Sequence, residues 1–193
     1  LTDEEFEMAD YLIGSLDDDG ILRKNMNTII DELAIYRGIY TNLDDLEKIL
    51  EVALKSPRIS SETDSHFIIV DDNFQLSKLS DCNDIDSCIL KDVAVAIVVA
   101  GNSLNNEFWI EDSSMAAVSM LYMAEQLGIG TYWVQVRKRG YYDGANSTEI
   151  IRGVLEIPEE YDVLCILGIG YAKEPGTVSE ECTKWENVHL NSF

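Results

Sequence analysis

The chain has 193 residues, and 36 Asp and Glu against 14 Lys and Arg give it a formal net charge of -22. Hydrophobic residues at 46% suffice for a folded core, while so acidic a field repels phosphate backbones and anionic membranes and argues against nucleic-acid binding. Two histidines and four cysteines without CxxC spacing assemble no zinc pattern, no apolar run approaches the roughly 18 residues of a membrane helix, and the absence of a signal peptide makes the cytoplasm the expected location.

Residues 1–56 read as helices only. Thr2 and Glu5 form a capping box ahead of Phe6, Ala9, Leu12, Ile13 and Leu16 on one helical face. Asp17-Asp18-Asp19-Gly20 then ends the pattern as a turn, since a calcium loop built around Gly20 has no glutamate at its last position. A second helix is expected over Met26 to Tyr36, and a third, capped by Asn42, carries Leu43, Leu46, Ile49, Leu50 and Ala53 until Pro57 stops it. His66 to Val70 reads as a short strand and Val93 to Ala100 as a central strand buried on both faces. Asp112 or Ser113 is expected to cap a helix reaching Leu127, apolar nearly all round over Met115–Ala124 and closed by Gly128. Thr131 to Val136 is a strand, Ser147 opens a helix ending before Pro158, and Val163 to Tyr171 is a further buried strand. The tail carries Trp185, Val188, Leu190 and Phe193, large apolar groups that a partner subunit could bury. That order of elements is an α/β or α+β layered architecture.

The block Ile110-Glu111-Asp112 … Ala116-Ala117 … Leu121 … Ala124 to Trp133 is similar to the nitroreductase family, in which an acidic start leads a buried helix into an A-x-x-L-G-L/I-G-S/T turn. The likeness continues through Trp133 to Arg137, Val154 to Pro158, Gly168-Ile169-Gly170-Tyr171 and Lys184 to His189. It implies an α+β fold with a central, mostly antiparallel sheet flanked by helices over residues 53–193. It also implies a homodimer, FMN as cofactor, NAD(P)H as electron donor and a small nitro, quinone or related compound as acceptor. The candidate flavin-binding residues are Gly128, Ile129, Gly130 and Thr131 in the turn, with Arg58, Ser60, Ser61 and Thr63 in the loop after Pro57. No metal ligand and no catalytic dyad is named, because such chemistry belongs to the flavin. On physical grounds alone, Gly128–Gly130 is either a backbone platform for a flat ligand or a plain helix C-cap feeding a strand.

The sequence departs from the family in two places. The R-R-S-I/V-R segment that holds the flavin phosphate is replaced by Ala34 to Tyr40, with the single cation Arg37, and the loop reads Pro57-Arg58-Ile59-Ser60-Ser61-Glu62-Thr63 in place of P-S-x-x-N-x-Q-P-W. Residues 1–52 instead resemble the core-binding domain of the nitrogen-type alternative sigma factor (sigma fifty-four), through Leu1 to Phe6, Ala9 to Gly20, Ile39 to Thr41 and Leu46 to Leu50. That resemblance implies an all-helical segment with a possible protein partner such as RNA polymerase. Arg58 reads either as a phosphate cation or as an exposed loop arginine. Arg137-Lys138-Arg139, the dense cationic cluster of the chain, reads either as a phosphate or nicotinamide-cofactor contact or as a salt-bridge partner for the acidic surface. The leading reading is an FMN-dependent NAD(P)H oxidoreductase; the alternative is a non-catalytic nitroreductase-like shell with a helical protein-interaction segment.

Overall fold

A computed structural model describes residues 43–60, 64–83, 85–140, 146–170 and 187–191. The two helices expected before residue 42 and the cap Asn42 lie outside the described residues. Helix α1 (Leu43–Leu54) buries Leu46, Ile49 and Ala53 at helical spacing. Strand β1 (Ser65–Val70) follows, then α2 (Asn73–Leu79), a 3-10 turn (Ser87–Lys91), β2 (Val95–Asn102), α3 (Trp109–Gln126), β3 (Gly130–Gln135), α4 (Ser147–Leu155) and β4 (Tyr161–Gly170).

The four strands form one sheet in the order β1-β2-β4-β3, and every neighbouring pair is antiparallel. Alternation along β2 sends Ile97 and Val99 to one face and Ala96, Val98 and Ala100 to the other. The first face packs against α1 and α3 through Ile49, Ala117, Met120 and Ala124. The second packs against α2, the 3-10 turn and α4 through Leu76, Leu79, Leu90 and Ile151. The result is a sheet sandwiched between two helical layers, which is why β2 and β4 read as continuous apolar runs although the sheet is antiparallel.

The register of β4 slips where Val99 pairs with Cys165 but Ala100 pairs with Val163. Leu164 is the extra residue of this bulge, so Leu164 and Cys165 both join the α3-side core while Val163 faces the other. The Leu164 carbonyl accepts from Val136 N–H and Arg137 N–H at 3.3 and 3.0 Å, which fixes where β3 ends. Arg152 of α4 donates to the Tyr161 carbonyl at 2.6 Å and pairs with Asp162 at 2.8 Å, tying α4 to the start of β4.

Two sequence expectations are corrected, and one segment is found that the sequence analysis does not assign. Helix α3 begins at Trp109 with Phe108 as its N-cap, and no side chain caps it; Asp112 and Ser113 lie in its first turns. The helix is not covered on all sides within one chain, because Val118 is 42% and Tyr122 70% exposed. Residues 71–91 hold α2 and the 3-10 turn, for which the sequence pattern gives no signal. Helix α2 buries only Leu76 and Leu79, with Asp72 accepting from Gln75 N–H at 2.8 Å as its cap.

Candidate functional site

The candidate loop after Pro57 is held from below by Asp112. Its carboxylate accepts from Ile59 N–H at 2.6 Å and Ser60 N–H at 3.2 Å, and lies 3.4 Å from the Asn106 side-chain amide. Asp112 is only 5% exposed, and two consecutive backbone donors satisfy its buried carboxylate. Asp112, expected with Ser113 as an alternative helix cap, instead holds this loop. Behind it the fold is tight: a Cβ at Gly101 would sit 2.8 Å from Ser113 Oγ and 2.9 Å from Trp109 Cε3, so only glycine lets β2 approach the start of α3. Ser113 Oγ in turn lies 3.2 Å from Ser65 Oγ. Arg58 is exposed above this platform, beside a cavity of about 20 Å³ that Ser56, Asp64, Ser65 and Asp112 also line. A space of that size holds a water molecule. Ser61 and Thr63 lie outside the described residues.

The other candidates sit at the far end of α3. Gly128 has φ +72°, Ile129 N–H donates to the Ala124 carbonyl at 2.9 Å, and Gly128 N–H donates to the Glu125 carbonyl at 3.1 Å. This pair of bonds, with Ile129 packed in the same core as Ala124, is a Schellman helix stop. The local geometry is therefore the plain C-cap that the residues alone allow. Ile129 is buried, so a ligand at this turn meets its backbone, while Thr131 is exposed. Gly130 already belongs to β3 and pairs with Gly170. A Cβ at Gly128 would meet nothing within 4 Å, so the turn faces open space.

From Asp112 to the last helical residue Gln126 the chain rises fourteen residues, about 21 Å at 1.5 Å per residue, and Gly128 lies beyond. One chain therefore does not bring Arg58 and Ser60 together with Gly128–Thr131. The face of α3 between these ends carries Val118 and Tyr122, one turn apart and both exposed, and Leu54, Ile59, Leu104 and Phe108 are further exposed apolar groups. A wider open depression of about 500 Å³ lies across the sheet, between α2 and α4, and contains none of the candidate residues. Among the described residues no three metal-ligating side chains gather, and no helix is long and apolar enough to cross a membrane. Burial raises the Cys82 thiol to about 11, and burial raises Cys165 as well, so neither is a nucleophile at neutral pH.

An antiparallel sheet between two helical layers, with its candidate ligand contacts at opposite ends of a central helix, defines a layered α+β domain. Residues 39–171 match the Nitroreductase family, and the chain belongs to that family. A solved FMN-dependent nitroreductase from Clostridium difficile R20291 superposes with a TM-score of 0.77 at 35% identity, over 81% of this chain and 91% of its own. A protein of Archaeoglobus fulgidus, named as a candidate NADH dehydrogenase/NAD(P)H nitroreductase, is 30% identical over 145 residues, 74% of this chain and 80% of that relative. A protein of the same name from Methanothermobacter thermautotrophicus is 32% identical over 152 residues, 77% of this chain and 75% of that relative.

Proposed function

We propose that the chain is one subunit of a homodimeric, FMN-dependent oxidoreductase that takes reducing equivalents from NAD(P)H and passes them to a small nitro, quinone or related acceptor. The observation that carries this reading is the separation of the two candidate sets. Arg58 and Ser60 stand at the start of α3 on the Asp112 platform, and Gly128–Thr131 stand at its end, with an exposed apolar stripe between. A second copy packed on that stripe would place one chain's loop opposite the other chain's turn. The exposed tail residues Val188 and Leu190, the latter at 87%, are further apolar surface for a partner to cover. An interface of about 2,000 Å² or more is the scale for such an obligate pair.

In this reading Arg58 faces the flavin phosphate and the backbone of Gly128–Thr131 lies against the ring. When bound, FMN supplies the hydride-accepting centre, and the protein supplies position and electrostatics. The donor set is thin: Ile59 and Ser60 N–H are already taken by Asp112, which leaves Arg58 as the cation of that loop. Weak flavin binding is therefore expected. The same observation favours a second reading, a non-catalytic shell whose segment at residues 1–52 docks on a protein partner. Titration of flavin-free protein with FMN, followed by quenching of flavin fluorescence alongside light scattering, tests the proposal. Saturable binding of one FMN per subunit by a dimer supports it; no binding at millimolar FMN gives the case to the shell, and a monodisperse monomer removes the composite cleft.

A further inference from the structure

Beyond β3 the chain turns through Arg137, Lys138 and Arg139, three consecutive cations in a protein of net charge -22. The turn is rigidly tied. Arg139 N–H donates to the Val136 carbonyl at 2.9 Å and Ser147 N–H to the Arg139 carbonyl at 3.4 Å. The Gln135 side-chain amide donates to the Arg137 carbonyl at 2.9 Å, and the Asn83 amide to the Gln135 carbonyl at 3.3 Å. Trp133 Nε1–H holds the Gln135 side chain from the other side at 2.9 Å. Lys138 has φ 61°, a left-handed conformation that is costly for any residue with a Cβ. Asp and Glu outnumber Lys and Arg by more than two to one, yet the ion pairs among the described residues use Lys48, Lys55, Lys91 and Arg152 instead. A left-handed backbone residue and three adjacent cations outside the ion pairs of the described residues coincide at one hydrogen-bonded turn, an arrangement that can receive an anion.

Its place in the fold suits a ligand shared with the proposed cleft. Gln135 pairs with Cys165 toward the start of β4, Tyr161 pairs with Asn102, and Gly101 pairs with Ser65 at the start of β1. The cationic turn therefore lies at the same end of the sheet as Ser65 and the Asp112-held loop. The strand order sets β1 and β3 three spacings apart, about 14 Å at 4.8 Å per spacing. That span is on the scale of an extended dinucleotide, whose reacting ring and outer phosphate lie far apart.

We propose that Arg137–Arg139 is a phosphate-monoester site that anchors the anionic reductant, with the 2′-phosphate of NADPH as its occupant. The identity of that occupant rests on the oxidoreductase reading; the anion site does not. The 5′-phosphate of FMN offers the same chemistry, and the test separates the two sources. Calorimetric titration of flavin-free protein with 2′,5′-ADP and with 5′-AMP compares ligands differing by one phosphate, without flavin or turnover, so its outcome is independent of whether FMN binds. The 2′,5′-ADP is expected to bind about tenfold or more tightly, the discrimination that one charge-assisted hydrogen bond supplies. R137Q/R139Q should erase the difference, R137K/R139K should keep part of it, and K48Q/K91Q, an equal charge change elsewhere, should leave it intact. A parallel comparison of FMN with riboflavin assigns the source: a preference for FMN lost only in R137Q/R139Q keeps the site and makes the flavin phosphate its occupant. Equal binding of 2′,5′-ADP and 5′-AMP with an unaltered FMN preference in R137Q/R139Q overturns the proposal. So does a preference that survives R137Q/R139Q or falls equally in K48Q/K91Q.

Discussion

Replacing Asp112 by Asn isolates the buried latch under the candidate loop. The carboxylate accepts two backbone N–H groups, at 2.6 and 3.2 Å, with the Asn106 amide 3.4 Å away. Asn keeps the shape and one acceptor oxygen but turns an NH2 toward one of these donors. Hydrogen bonds to a charged group contribute about 1.5–3 kcal/mol each, and an unsatisfied donor in a partly buried loop costs a further ~1–3 kcal/mol. Loss of one bond, with partial rescue of the orphaned donor by water, gives an expected destabilisation of about 2–4 kcal/mol. For a chain of this size that corresponds to a fall in Tm on the order of 5–15 °C. Urea denaturation of D112N against wild type measures the first figure, and FMN titration of the folded variant should show weaker binding because the Arg58–Ser60 loop loses its footing. A D112N protein within about 0.5 kcal/mol of wild type, the range of an inert surface change, would refute the latch.

Gly101→Ala drives a methyl group into Ser113 Oγ and Trp109 Cε3; a cost of about 1–3 kcal/mol is expected, and an unchanged urea midpoint would show that the β2–α3 contact yields freely. Gly128→Ala meets no neighbour within 4 Å but keeps φ +72°, so its cost should be purely conformational, about 1–2 kcal/mol, with Gly128→Asn milder; equal Tm values for all three proteins would contradict the Schellman assignment. The Cys82 thiol, raised to about 11 by burial, stays protonated in the folded chain while the unfolded chain ionises nearer its ordinary value. Stability is thus complete below the ordinary thiol pKa and declines as pH rises toward 11, by up to about 2–3 kcal/mol; the advantage of wild type over Cys82→Ala in urea midpoint should therefore shrink from pH 8 to 11, and a constant gap would contradict it.

The layered fold was legible because β2 and β4 are unbroken apolar runs and α3 ends at a glycine whose φ the helix stop requires. The segment at 71–91 was not. Helix α2 has two buried leucines, too few for a period, and the Ser80–Ser87 connector is held by side chains that look like loop composition. Asn83 Oδ1 accepts from the N–H groups of Ile85 and Asp86 at 2.9 and 3.0 Å, and the Ser87 hydroxyl donates to the Ser80 carbonyl at 2.7 Å. The role of Asp112 is hidden in the sequence for a related reason. An acid at the start of a helix signals a cap, and only the long-range fold shows that its partners are Ile59 and Ser60. The left-handed Glu156 at the end of α4 likewise has no glycine to announce it. That the candidate residues stand at opposite ends of α3 could not be read from spacing, because Arg58 reaches the helix start through tertiary packing alone.

Subunit complementation tests the composite cleft most directly. R58E damages the loop side and G130V the turn side, so either homodimer should lose FMN binding. Unfolded together and refolded as a mixture, about half the dimers are mixed, and by two-fold symmetry each mixed dimer carries one intact cleft and one doubly damaged cleft. The account predicts that the mixture regains about a quarter of the wild-type FMN sites by fluorescence titration, while each variant refolded alone regains none. A mixture that binds no more FMN than its separate components, with mixed dimers verified by native mass spectrometry, would contradict it.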